Sequence, residues 1–225
     1  MMDAPLLHRD DPDKDPLIGN VKVTRQDWMN AALTVLKQGG VEAVKVADLA
    51  GHLQVSRSSF YWYFKNRTDL LNALLEHWQN TNTAAMVTQA NAPARTITEA
   101  CCNIFHCNID TALFDNRLDF AIRDWARRSE RVNTVLKAGD AARLDALTAM
   151  FTRFGYAPLE ATARARVIYY MQLGYDNAKL GETLEERLAM VPGYLVAFTG
   201  KDAAEHEIAA FNTYAREVAA HSAPA

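Results

Sequence analysis

The chain has 225 residues, 49% of them hydrophobic and 23% charged, and its formal net charge is −3. At ~100–200 residues per domain this is one large domain or two small ones, and an ordinary composition of this kind excludes wholesale disorder. No apolar run approaches the ~20 residues of a membrane span, and no apolar signal-peptide core follows the start. The three cysteines, Cys101, Cys102 and Cys107, crowd one segment, the opposite of a disulfide framework. A cytoplasmic protein with no membrane partner is expected.

Charge divides the chain unevenly. Residues 1–20 hold five Asp and three Pro and are expected to form an acidic, disordered arm. Residues 20–77 carry seven basic and five acidic side chains, a net charge of +2, while the remaining 148 residues are net acidic. An excess of that size is ordinary for a solvated face and identifies no partner by itself.

The hydrophobic pattern is helical almost throughout. Trp28, Ala31, Ala32, Val35 and Leu36 form one stripe on a helix predicted from about Arg25 to Gln38, which Gly39-Gly40 ends. A short helix is predicted over Val46–Leu53, and after the three residues Gln54-Val55-Ser56 another over Arg57–Phe64. Asn66 is placed to cap a fourth, which carries Leu70, Leu71, Leu74, Leu75 and Trp78. Past Trp78 the texture turns to Thr, Asn, Ala and Gln, with Pro93 as a break, and no helix is assigned until residue 96. Long helices then follow over about 96–113, 116–128, 132–154, 158–180, 184–198 and 202–220. No period-2 alternation is long enough for a strand, so the fold class is all-α.

The stretch from Lys45 to Arg67 is the most informative. Two short helices across a three-residue turn have the size of a helix-turn-helix. Ala50 sits where a larger side chain would push the helices apart. Gln54 occupies the place that needs a positive φ, at a strain of ~1 kcal/mol relative to Gly. Ser56 is a candidate N-cap, and Val55 a plug between the helices. Phe60 and Phe64, four apart, hold the next helix down and leave Arg57, Ser58, Ser59, Tyr61, Trp62 and Tyr63 outward. A Tyr-Trp-Tyr run facing solvent indicates a contact surface. Arg pairs bidentately with guanine, and hydroxyls reach phosphates or bases. Lys65 and Arg67 would anchor phosphates. Trp28, Trp78 and Trp125 are expected to be structural.

SRSSFYWYFKNRTDLL resembles the recognition helix and following helix of the TetR family of bacterial transcriptional regulators, and TRQDWMNAALTVLKQGGVEAVKVADLAGHL resembles that family's first two helices. The resemblance covers residues 24–78, and the rest matches only as a helical body of suitable size. It implies a helix-turn-helix DNA-binding domain over residues 21–77 and a helical ligand-binding and dimerisation domain over 78–225. It places Arg57, Ser58, Ser59, Tyr61, Trp62 and Tyr63 at base and phosphate contacts. Lys45, Lys65 and Arg67 fall at phosphate positions, with Thr24 and Arg25 as weaker candidates. Ala47 stands where a second base-reading Arg can occur, and Tyr63 replaces a frequent His. The acidic arm is expected to contribute nothing to DNA binding.

The same resemblance implies a double-stranded DNA operator, a small-molecule effector of unknown identity and a homodimer. The dimer is expected through the helix near 158–180, along Leu159, Thr162, Ala163, Arg166 and Tyr170 with Leu173 and Gly174, and through the C-terminal helices. Candidate pocket residues on the earlier helices are Phe105, Asn108, Phe120, Asp124, Trp125 and Phe151. On the later one they are Tyr169, Tyr170, Gln172, Leu173 and Asp176. The expected function is a ligand-responsive repressor released from a palindromic operator.

Two other readings compete. Cys102 and His106 lie four apart, with Cys101 and Cys107 beside them, a spacing that admits a metal- or redox-responsive regulator. Buried packing is the plainer reading, with Ile104 and Phe105 between them. The aromatic surface also suits a helical protein-interaction module. No phosphate loop, GxGxxG, HExxH or GxSxG is present, so neither an enzyme nor a cofactor is expected, and no metal is assigned.

Overall fold

The computed structural model describes residues 23–178 and 180–222, all helix and connecting turns with no strand among them. The acidic arm lies outside the described residues. The helices are α1 (Arg25–Gly39), α2 (Val46–His52), α3 (Arg67–Trp78), α4 (Ala84–Asn91), α5 (Ile97–Ile109), α6 (Asn116–Ala126), α7 (Glu130–Arg153), α8 (Pro158–Ala178), α9 (Leu184–Thr199) and α10 (Glu205–Ser222). Tighter 3-10 turns span Val41–Ala43 and Arg57–Trp62, and a π-helical turn spans Gln79–Thr83.

The chain forms two compact units. The first comprises the described residues up to 78 together with 117–135, and so adds α6 and the start of α7 to the expected N-terminal domain. Its α1 begins with a reciprocal cap, in which Thr24 Oγ1 accepts from the Asp27 amide at 3.2 Å and the Asp27 carboxylate accepts from the Thr24 amide at 2.7 Å. Trp28, Leu36, Leu49, Phe60, Leu70, Leu74 and Trp78 are essentially sealed from solvent. The Asn66 cap forms as expected, its side chain accepting from the Asp69 amide at 2.9 Å. Within the same unit the Trp78 indole donates to buried Asp119 of α6 at 2.8 Å, and Arg123 pairs with that carboxylate at 2.8 Å. Burying a carboxylate is costly unless it is paired, and here it has both an indole and a guanidinium.

The second unit comprises residues 79–116 and the described residues from 136 to 222. Its core gathers Cys101 and Phe105 of α5, Met150 and Phe151 of α7, Ile168 of α8, Leu195 and Phe198 of α9 and Phe211 of α10. Glu207 of α10 ties back to α5, accepting from the Thr96 and Thr98 hydroxyls at 2.5 and 2.6 Å. α9 opens on a Thr183–Glu186 capping box and ends at Gly200, whose φ of +67° is open to glycine without strain.

The helical pattern past Trp78 departs from expectation. Residues 79–91 are helical despite their Thr/Asn-rich composition, and the break falls only at Ala92-Pro93. Tertiary packing outweighs weak propensity here. Met86 and Ala90 are buried, and Asn82 exchanges hydrogen bonds with the Asp115 backbone at 2.9 and 3.3 Å.

Candidate nucleic-acid interface

The turn between α2 and Arg57 is shaped by two residues. Gln54 takes a φ of +53°, the one positive φ outside glycine among the described residues. The Val55 amide then donates back to the Ala50 carbonyl at 3.0 Å. Ala50 itself is buried, so the turn closes tightly over a small side chain.

From Arg57 to Trp62 the chain is a 3-10 turn rather than the expected α-helix to Phe64. Ser56 makes no side-chain cap: its hydroxyl lies 2.8 Å from that of Ser58, while the Ser59 hydroxyl donates to the Ser56 carbonyl at 2.8 Å. Tyr63 follows the turn, is half-buried, and its amide donates to the Phe60 carbonyl at 3.0 Å. The Tyr63 hydroxyl donates to the Val23 carbonyl at 2.8 Å. Phe60 anchors the segment, 5.2 Å from the Trp28 ring and 5.3 Å from the Phe64 ring.

What this leaves outward is narrower than the sequence suggests. Arg57, Ser58, Lys45 and Lys65 are exposed, and Tyr61 and Trp62 are 61% and 69% exposed. Large aromatics that exposed beside three cations, on a turn fixed by a buried Phe pair, form a rigid surface with base-stacking, hydrogen-bonding and phosphate-binding capacity. Ser59 and Tyr63 are half-buried and engaged with the backbone. Arg67 is turned inward, its Nε and Nη2 donating to the Val44 and Val41 carbonyls at 2.6 and 2.5 Å. It closes the loop before α2, where a phosphate contact was expected. Thr24 is used in the α1 cap, and the Arg25 guanidinium sits 4.9 Å over the Phe64 ring.

The second unit contains a cavity of about 50 Å³ bounded by α5, α8, α9 and α10, next to an open pocket of about 270 Å³. Of the residues expected there, Phe105, Asn108 and Gln172 line the cavity, and Asn108 and Asp176 border the open pocket. The others lie elsewhere. Phe120, Asp124 and Trp125 belong to the first unit, where Asp124 pairs with Arg128 at 3.5 Å. Phe151 is plain core, and Tyr169 is tied to Asp140 at 2.6 Å and to Arg143 at 3.3 Å. Tyr170 is exposed on α8, and Leu173 only packs against the core. Aromatics at helical spacing resolve into core as readily as into lining, so periodicity could not separate them. Lining residues that the sequence reading missed include Tyr175, Arg187 and Tyr194. Arg187 was detectable as a cation flanking the Leu184, Leu188, Val191, Leu195 stripe.

The three thiols of the Cys101, Cys102, His106, Cys107 cluster are packed into the core. All three thiols are buried and free of disulfides. Burial pushes all three thiols up, Cys102 and Cys107 to about 12, which suppresses the thiolate that metal binding or oxidation requires. His106 lies against the Tyr214 ring at 3.9 Å, and burial lowers its pKa. Among the described residues no group of three or more His, Cys, Asp or Glu is placed to hold a metal, and no helix is long and apolar enough to cross a membrane.

Residues 29–74 match the family model described as "Bacterial regulatory proteins, tetR family". Over 53 residues the chain is 34% identical to the HTH-type transcriptional regulator AcrR of Shigella flexneri, covering 24% of this chain and 25% of that protein. Over 54 residues it is 35% identical to the Transposon Tn10 TetC protein of Escherichia coli, covering 24% and 27%. The chain thus spans about a quarter of the length of the curated relatives it matches. Among solved structures, Mycobacterium smegmatis AmtR superposes with a TM-score of 0.60 at 14% identity, over 89% of this chain and 97% of that one. Salmonella enterica GusR superposes with a TM-score of 0.54 at 14% identity, over 86% and 94%. At that identity the likeness is one of fold, an all-helical architecture shared along most of the chain. The helix-turn-helix segment, residues 29–74, is thus the part of the chain that is similar to the tetR family of bacterial regulatory proteins.

Proposed function

We propose that this protein is a sequence-specific DNA-binding transcriptional regulator, a homodimeric repressor that leaves a palindromic operator when a small molecule enters its helical cavity. The observation that carries the reading is the exposed Arg57–Tyr61–Trp62 surface on a turn pinned by buried Phe60. Arg57 reads a base edge, Tyr61 and Trp62 pack on bases or sugar, and Lys45 and Lys65 hold phosphates. Ser58 adds a short-range hydroxyl. Relatives support the regulatory half: one is an HTH-type transcriptional regulator, another a probable operon repressor.

One short recognition element reads few base pairs, so specificity calls for two copies about one DNA turn, ~34–36 Å, apart. An apolar stripe is available for pairing. On α8, Leu159, Val167 and Tyr170 are exposed, as are Met190 and Val196 on α9, and Leu159 reaches 84%. Patches of that kind mark interfaces. An effector that fits only one arrangement of the helices would change the separation of the recognition elements. A coupling of ~1–3 kcal/mol alters operator affinity 5–150-fold. No catalytic role is assigned.

Selection of bound sequences from a random duplex pool tests the reading. The expected product is an inverted repeat with half-site centres about one helical turn, or a multiple of it, apart. A pool that stays random would transfer the aromatic surface to a protein partner.

A further inference from the structure

We propose that the cavity among α5, α8, α9 and α10 binds a compact hydrophobic carboxylate, with its anionic end on Arg187 and its apolar body inside. This rests on the regulator reading above, since it names the ligand class of the same cavity.

The lining holds one formal charge, Arg187, in a wall that is otherwise apolar, aromatic or neutral amide. Arg187 is half-buried near the start of α9. Its Nη2 reaches the Asn108 carbonyl at a long 3.3 Å, and its guanidinium lies 5.7 Å from the Tyr175 ring. Among the described residues no carboxylate pairs with it. The acids bordering the adjoining pocket are occupied: Asp176 accepts from the Gln172 amide at 2.9 Å, and Glu182 from the Tyr175 hydroxyl. The guanidinium fork therefore retains donors that no carboxylate among the described residues occupies. A planar carboxylate matches that fork bidentately, and partial burial strengthens the pairing.

The apolar wall selects the rest of the ligand. Phe105, Met171, Leu188, Val191 and Phe211 offer aromatic and flexible aliphatic surface with no hydrogen-bonding demand. Like charge at Arg187 disfavours an ammonium group inside the apolar cavity, and a neutral amide forgoes the ion pair. The volumes, about 50 Å³ inside and about 270 Å³ outside, lie below the ~300–1,000 Å³ of drug-sized ligand sites, so the ligand must be compact and extend from the cavity into the open pocket. They suit an aryl or medium-chain acid.

Isothermal titration calorimetry of the full chain tests this with 4-phenylbutanoate, 2-naphthoate and octanoate, each beside its primary amide and the matching primary amine. At least one acid should bind at least ~10-fold more tightly than its amide, with the amine weakest. Arg187→Gln should collapse the acid-over-amide preference while leaving amide affinity in place, and Arg187→Lys should restore part of it. Thermal melts of both variants show whether the fold is retained. Amides or amines binding as tightly as the acids, an unchanged preference in Arg187→Gln, or no binding by any member would overturn the proposal. The titrations contain no DNA, so the two readings fail separately. Acid binding without selective DNA binding leaves the site standing and removes the regulator, and the converse removes the site alone.

Discussion

The rings of Trp28 and Phe60 meet at 5.2 Å with their planes 74° apart, and this edge-on contact ties the recognition turn to the first helix. Both are fully buried, whereas Trp62, two residues after Phe60, is 69% exposed. Phe60→Ala should therefore cost about 3–5 kcal/mol of stability in the first unit, because it leaves a cavity against Trp28 and Phe64. Trp62→Ala should stay within about 0.5 kcal/mol of wild type and lose DNA affinity instead. Chemical denaturation beside a binding titration separates the two. An unstable Trp62→Ala would place that ring in the core.

The cations around the turn divide by role. Arg57→Ala should lose about 1–3 kcal/mol of preference between operator and random duplex, while Lys65→Ala should weaken both about equally and flatten the salt slope. Equal losses for Arg57→Ala would remove its base-reading role.

Arg67 is predicted to behave differently from both. Its guanidinium holds the Val41 and Val44 carbonyls, so Arg67→Ala should cost about 1.5–3 kcal/mol of stability per charge-assisted bond lost. Its salt slope for DNA binding should remain that of wild type. A stable variant with a shallower slope would return Arg67 to the phosphate-contacting set.

Gln54 holds a φ of +53° in the turn. Gln54→Gly should raise stability by up to about 1 kcal/mol, and the β-branched Gln54→Val should lower it. Melting temperatures of the two variants moving in the same direction would contradict the strain assignment.

The buried thiols impose an alkaline limit. Cys102 and Cys107 are pushed from 9.0 to about 12 by burial, so the folded protein keeps protons that the unfolded chain releases. Stability is then full below about pH 9 and falls as pH rises from there toward 12. At neutral pH the folded protein should react slowly with iodoacetamide, and chelators should leave DNA binding unchanged. Rapid labelling of the native state would revive the metal or redox reading.

Much of the fold was legible because periodic apolar stripes and breakers survive in one dimension. Leu70, Leu71, Leu74, Leu75 and Trp78 marked α3, Gly39-Gly40 ended α1, and the positive φ at Gln54 followed from the turn's length. The helix over 79–91 was not legible, because Asn82 and Met86 owe their place to partners far along the chain. Ser59 and Tyr63 were expected to face outward and are half-buried, and Arg67 is bonded to backbone carbonyls, for a related reason. A 3-10 turn rotates side chains differently from an α-helix, and carbonyls in need of a donor leave no mark in sequence. The cavity was legible only at Phe105, Asn108 and Gln172, since lining and core share one composition.

The most direct measurement is fluorescence anisotropy of the full chain on duplex DNA from upstream of its own gene and on a scrambled duplex, at two salt concentrations. The account predicts tight, salt-sensitive binding to the native duplex and at least ~10³-fold weaker binding to the scrambled one. No binding to either duplex at low salt would contradict it.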